Sequence, residues 1–134
     1  MNHIALETPW TLPATDGYHH VAGIAPGSRL VWTSGQLPLD AEGKAPRIDD
    51  WEGQTRQVMH NVGVALEAAG AAWSDVFKLT IFVVDNAELA TVRAIRDEFV
   101  NIDNPPTSSL VQVAGLLDPA FLVAIEAVAA VAAG

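Results

Sequence analysis

The chain has 134 residues, half of them hydrophobic and 17% charged, with a formal net charge of −9 at pH 7. This length suits one domain with a real core and is too short for two. The seven lysines and arginines are scattered, which argues against nucleic acid and against an anionic membrane surface, because both need clustered cations.

With no cysteine, a disulfide, a thiolate metal site and a cysteine nucleophile are all excluded. The opening MNHIALETPW lacks a basic stretch followed by an apolar run, so it does not read as a secretory signal. Residues 121–133 are the most apolar stretch, but they are too few to span a bilayer and include Glu126. A cytoplasmic protein is the expectation. Alanine inflates part of the apolar fraction; the remainder predicts apolar surface covered by another subunit.

Residues 1–16 hold two prolines and read as an extended opening segment of a single domain 1–134, with one strand near 4–6. A strand is expected over 18–24, and Pro26-Gly27-Ser28 is a turn. RLVWTS at 29–34 reads as a strand with Leu30 and Trp32 on one face and Val31 and Thr33 on the other. Gly35 follows, and glycine at a strand end allows close backbone approach. Residues 38–47 are a polar loop. Asp49-Asp50 supplies the acids that favour a helix start.

The stretch 61–85, NVGVALEAAGAAWSDVFKLTIFVVD, organises the rest. A helix from about 54 carries Val58, Val62, Leu66 and Ala69 on one face, and Gly70 stops it. Residues 77–84 form a strand expected to start half-exposed and end buried on both sides. Asp85-Asn86 turns the chain. A second helix over 87–100 places Leu89, Val92, Ile95 and Phe99 on one stripe, opposite Arg93, Arg96 and Asp97. Two prolines at 105–106 end it. Residues 109–114 and 121–131 read as two strands paired with each other. In the last, Phe121, Val123, Ile125 and Ala127 share one face, and Leu122, Ala124, Glu126 and Val128 the other.

The expected order is β-β-α-β-α-β-β, an α+β domain with two helices on one face of a mixed sheet. The strands look apolar on both faces, and no unused part of the chain is large enough to cover the second one. A homo-oligomer with packed sheet faces or edges is the inference.

The segments GYHH, RLVWTSGQLPLD, QTRQVMHNVGVALEAAGAAWSDVFKLTIFVVD and the closing PPTSSLVQVAGL and LVAIEAVA occur in this order. Together they resemble the YjgF/RidA family over about residues 17–129. The resemblance implies a chorismate-mutase-like fold and a homotrimer with small-molecule clefts between neighbouring subunits. It also implies hydrolysis of reactive enamines and imines, such as 2-aminoacrylate, to keto acids and ammonia. Deaminating members carry an arginine that holds the substrate carboxylate; aligning VQVA puts Ser108 there. They also carry a first glutamate in the final strand, where this chain has Ala124, and only the second, Glu126, is present. The chain resembles a divergent branch, and the standard substrate is not the expected one.

Tyr18 matches an aromatic of the family cleft, and otherwise packs on a neighbouring strand. Ser34-Gly35 matches the SGQ motif, and otherwise is turn chemistry. Thr107, Ser108 and Ser109 offer hydroxyls that donate and accept, or simply cap a strand. Glu126 is an acid in an apolar strand, suited either to proton transfer or to an ion pair. His19 and His20 are adjacent, so they point to opposite faces of a strand. With His3 and His60 they give no metal-ligand spacing, and no metal is expected. His20 remains a candidate base. No nucleotide-binding loop or hydrolase elbow is present, and no cofactor is expected.

The candidate catalytic groups are thus Tyr18, His20 and Glu126. The candidate binding residues are Tyr18, Ser34, Gly35, Thr107 and Ser108. Arg29, Arg93 and Arg96 are the cations that a neighbouring chain can lend. The function expected is imine or enamine deamination, or a related small-molecule hydrolysis, in clefts between subunits of a homotrimer, on a substrate other than 2-aminoacrylate. The alternative is a trimer that binds a small metabolite without turning it over. A ribonuclease, an activity ascribed to some family members, fits the acidic balance least.

Overall fold

A computed structural model describes residues 2–134. In chain order it contains β1 (Ile4–Glu7), β2 (Val21–Ile24), β3 (Arg29–Trp32), α1 (Trp51–Ala68), β4 (Val76–Val83), α2 (Leu89–Asp97), β5 (Thr107–Gln112) and β6 (Val123–Val131). A short 3-10 turn, Trp73–Asp75, leads into β4. The fold is α+β, with two helices against a mixed four-stranded sheet of order β3-β6-β4-β5. The order gains one strand over the expectation, because β1 pairs antiparallel with β2 in a ladder of its own. No helix among the described residues is long and apolar enough to cross a membrane.

The sheet is a pair of interleaved crossovers. β3 and β4 both run antiparallel to β6, so they are parallel to each other, and α1 connects them. β4 and β5 are parallel neighbours joined through α2. A parallel connection needs a long crossover, which a helix supplies. The expected pairing of the last two strands is therefore corrected. β4 lies between them, and β6 fills the slot between β3 and β4. A strand in that position is walled on both sides, and β6 meets the demand with Val123, Ala124, Ile125, Ala127, Ala129 and Ala130, all buried.

The alternation in β4 also persists further than its sequence implied. Val76, Leu79, Ile81 and Val83 are buried, whereas Lys78, Thr80 and Phe82 are only half-buried. The buried set joins Val58, Met59, Val62 and Leu66 of α1 and Val92 and Ile95 of α2 in one core. The largest of these are fully buried, at about 1.5–3 kcal/mol apiece. Lys78, Thr80 and Phe82 lie on the other sheet face with Leu30, Trp32, Glu126 and Val128, as the strand register requires. On that face Leu30 and Trp32 are exposed, Trp32 at 66%.

Local chemistry sets the ends of α1. Asp50 caps its start by accepting from the Gly53 N–H at 2.9 Å. At its end Gly70 has φ 76, the Gly70 N–H reaches Glu67 O, and the Ala71 N–H reaches Leu66 O. This is the double bond of a Schellman stop, which glycine permits at no steric cost. On the outer surface Arg56 reaches Glu98 of the segment after α2 at 2.7 Å. That contact holds the Glu98 carboxyl below its ordinary value.

Two polar residues on the buried side of α1 interrupt its apolar stripe. Gln54 and Thr55 are both fully buried. Thr55 Oγ1 has no hydrogen-bond partner among the described residues. A buried hydroxyl without a partner costs about 1–3 kcal/mol. Thr55→Val is therefore expected to raise stability by about 1 kcal/mol, read as a higher urea midpoint at unchanged slope. A lower midpoint would show that the hydroxyl is satisfied after all.

Candidate functional site

Residues 18–20 run beside the start of β5. His19 forms a parallel bridge with Thr107, and its N–H donates to Pro106 O at 3.2 Å. Side chains alternate along such a segment. His19 therefore turns to the open face, and Tyr18 and His20 turn to the helical one, where their rings meet edge to face at 5.9 Å. Ser108 points to the helical side of β5 by the same alternation. The result is a cavity of about 240 Å³ lined by Tyr18, Ile81, Arg93, Arg96, Ser108 and Leu110.

The two arginines come from α2, where a spacing of three residues puts them on neighbouring ridges. They differ in environment. Arg96 is 5% exposed, which corrects its expected place on the solvent side of the helix. Its Nε and Nη2 both donate to Asp97 Oδ1, at 3.0 and 2.9 Å. Gly17 makes the burial possible: a Cβ there would overlap Arg96 Nη2. Gly17 also has φ 82, a conformation that side chains disfavour. Arg93 is exposed, and among the described residues no carboxylate lies within salt-bridge distance of it.

Tyr18 and Ser108 thus share a cavity. Thr107 faces the other side of the sheet with His19, outside the cavity lining, and its hydroxyl donates to Phe77 O at 2.6 Å. His20 lies behind Tyr18, outside the cavity lining. Its Nε2 donates to Pro13 O at 2.9 Å. His19 bridges Thr8 Oγ1 at 3.0 Å and Asn104 Oδ1 at 3.1 Å, which ties the opening segment to the loop before β5.

The other named residues lie elsewhere in the chain. Ser34 and Gly35 follow β3, and Gln36 exchanges backbone hydrogen bonds with Ile125 of β6. They are on the far edge of the sheet from β5, three strand spacings or roughly 14 Å away. Ser34 O accepts from Thr33 Oγ1 and Gln36 Nε2. Glu126 is half-buried on the open face, opposite Thr80, and so lies across the sheet from Ser108. Arg29 packs its guanidinium beside Gly70 at the end of α1, where the helix dipole favours a cation. Of the three arginines named as loans from a neighbour, Arg93 and Arg96 reach the cavity within the same chain. Their spacing on α2 was the signal, but periodicity alone placed both in solvent.

Comparison with known proteins agrees with this architecture. A family model described as endoribonuclease L-PSP matches residues 11–131. The 2-iminobutanoate/2-iminopropanoate deaminase of Salmonella typhimurium is 39% identical over 99 residues, 72% of this chain and 76% of that protein. A RutC family protein of Synechocystis is 34% identical over 105 residues, 78% of this chain and 79% of that one. Among solved structures, YyfB of the Rid protein family from Yersinia pestis superposes with a TM-score of 0.87 at 28% identity, over 97% of this chain and 100% of that chain. Escherichia coli TdcF with bound serine gives 0.71 at 30% identity, over 94% of each. A match that spans nearly the whole domain, with relatives above 30% identity over more than two thirds of it, means that this chain belongs to the endoribonuclease L-PSP family, the YjgF/RidA group.

Proposed function

We propose that the protein is a deaminase that hydrolyses an imine or enamine other than 2-aminoacrylate, in clefts between the subunits of a homotrimer. The observation that carries this reading is the cavity where Tyr18 and Ser108 meet, in a chain 39% identical to a 2-iminobutanoate/2-iminopropanoate deaminase. Water adds to the C=N carbon, the nitrogen takes up protons, and the C–N bond breaks to leave a carbonyl and ammonia.

Two observations support the assembly. Two large apolar side chains, Leu30 and Trp32, stand exposed on the sheet face away from the helices. Ser34-Gly35 and Ser108 lie on opposite edges of one sheet, so they join in a single site only where the edges of two copies meet. Such an arrangement also lets Glu126, remote from Ser108 in its own chain, serve a neighbour's cleft. The substrate limit rests on Ser108, whose short side chain leaves room that a longer one would fill, and on Ala124.

The competing reading is a binding trimer without turnover. It draws on the cavity lining itself, in which, among the described residues, Tyr18 and the two arginines are the ionisable groups. Ammonia release separates the two readings. Imino acids are generated in place by an amino-acid oxidase, from alanine for the three-carbon case and from larger amino acids for the rest. Acceleration is expected with a larger imino acid and is expected to be weak with the three-carbon one. Strong acceleration with the three-carbon compound would overturn the substrate limit. No acceleration with any of them would leave binding alone. The acidic surface weighs against RNA as substrate.

A further inference from the structure

We infer that a second cavity, where β1 meets the Trp73–Asp75 turn and the loop before β5, binds a small uncharged ring compound through its carbonyl oxygens. The cavity holds about 240 Å³, room for one ring rather than a drug-sized molecule. It shares no lining residue with the cavity of Tyr18 and Ser108, and the inference does not depend on the deaminase reading.

The floor is apolar and the rim is not. Ile4, Val76 and Pro106 line the cavity and are buried. Trp73 forms a wall and is held from two directions. Its ring lies 5.9 Å from that of Phe99. On the α1 side, a Cβ at Gly63 would come within 3.0 Å of the indole Nε1, so the helix accepts the ring closely because glycine stands there. An aromatic surface fixed in this way loses little freedom when a ligand ring is laid against it.

The rim carries Asn2, Asn101 and Asn104. An asparagine has one carbonyl acceptor and an NH2 group with two donors. All three carbonyl ends are already used. Asn2 Oδ1 accepts from the Ile4 N–H at 3.1 Å, Asn101 Oδ1 from the Asp103 N–H at 3.1 Å, and Asn104 Oδ1 from His19 Nε2 at 3.1 Å. No protein acceptor meets the three Nδ2 groups among the described residues, so the rim offers donors. Donors call for acceptors on the ligand. None of the lining side chains is ionisable among the described residues, and the chain has a net charge of −9. An anion would find no countercharge there and an unfavourable field. Neutral carbonyl oxygens, as in a lactam or cyclic imide, satisfy the rim, and the ring carbons satisfy Trp73 and the floor.

The alternative is that these asparagines only shape turns, since Asn2 and Asn101 each accept from the N–H two residues on. Asparagine-to-aspartate variants separate the two, because they keep the turn acceptor while replacing the donor with a negative oxygen. The test is an NMR titration of the full chain with glutarimide, a neutral ring with two carbonyls. The comparators are δ-valerolactam, with one carbonyl, and glutarate, which is charged. Glutarimide is expected to shift the Trp73 indole N–H saturably, that signal being assigned by its loss in Trp73→Phe. The lactam is expected to bind more weakly, and glutarate at least roughly tenfold more weakly. Asn101→Asp and Asn104→Asp are each expected to weaken glutarimide by roughly tenfold, about one hydrogen bond, at the melting temperature of the parent. Using two rim positions keeps the test open should one variant disturb its loop. Asn86→Asp, the same charge change at an exposed residue outside the cavity, is expected to bind as the parent does, and so is Ser108→Ala. Absence of a saturable shift, glutarate binding as tightly as glutarimide, or binding that ignores both rim variants would each overturn the site. Loss of binding in Ser108→Ala would place the ligand in the first cavity and overturn it as well.

Discussion

Replacing Gln54 with alanine is expected to cost about 3 kcal/mol, one of the largest losses available from a polar residue in this chain. Gln54 is fully buried near the start of α1. Its Nε2 donates to Arg47 O at 3.2 Å and to Ala120 O at 3.0 Å, and its Oε1 accepts from the Leu122 N–H at 2.8 Å. One side chain thus ties the loop before α1 and the turn before β6 to the helix. Truncation strands the Leu122 N–H and two carbonyls, and leaves a void. Unpaired buried groups and cavities each cost on the order of 1–3 kcal/mol. A domain of this size would melt roughly 10 °C lower. Gln54→Glu separates the two causes, because it keeps the volume and the acceptor but points a carboxylate at two carbonyl oxygens. That environment raises the folded-state pKa above the unfolded one. The folded state then holds the proton more tightly, so the variant is least destabilised in acid and loses stability as pH rises through and beyond the ordinary glutamate range. A Gln54→Ala protein within about 0.5 kcal/mol of the parent by urea denaturation would show that the clamp is not needed.

Gly17→Ala is expected to cost a comparable 2–3 kcal/mol and, unlike Gln54→Ala, to reach the cavity directly. At φ 82 an alanine is strained by about 1–2 kcal/mol. Its Cβ also collides with Arg96 Nη2, so the ion pair with Asp97 must shift while remaining buried. Displacing a paired buried charge is costly because its desolvation is no longer offset. The expected result is a lower denaturation midpoint together with slower ammonia release from the imino acids named above. Gly35→Ala is the reference for stability. A Cβ there meets nothing within 4 Å, and Gly35 is not among the glycines with positive φ. Its midpoint should stay within about 0.5 kcal/mol of the parent. If Gly17→Ala melted with the parent, Arg96 would have room that the structure does not show.

The two substitutions act on contacts that join distant parts of the chain, which is also where sequence reasoning reached its limit. The helices were legible because their signals are local. The apolar spacing of Val58, Val62 and Leu66, the acid at Asp50 and the glycine at Gly70 each act within a few residues. The strands were legible for the same reason, and so was the open sheet face: two helices cover one side of a sheet, and Leu30 and Trp32 are left exposed on the other. Family membership was legible because ordered short motifs extend over most of the chain. The pairing of the last strands was not. Two adjacent apolar runs read as a hairpin, and only the parallel crossover through α2 shows that β4 must come between them. Gln54 and Thr55 were missed because a polar residue at a helix position reads as solvent-facing until its partners are known.

The sequence by itself determined the class of fold, the extent of α1 and β4 to within a few residues, and the residue types available for chemistry, since each depends on neighbours along the chain. Tertiary structure decided which of those residues meet. It brought Tyr18, Ser108, Arg93 and Arg96 to one cavity, and it placed Ser34 at the other edge of the sheet and Glu126 on its other face. The physical reason is that a site is a closure of distant segments. Periodicity tells which face a side chain takes on its own element, but not what packs against that face, and the burial of Arg96 turned on the absent side chain of Gly17.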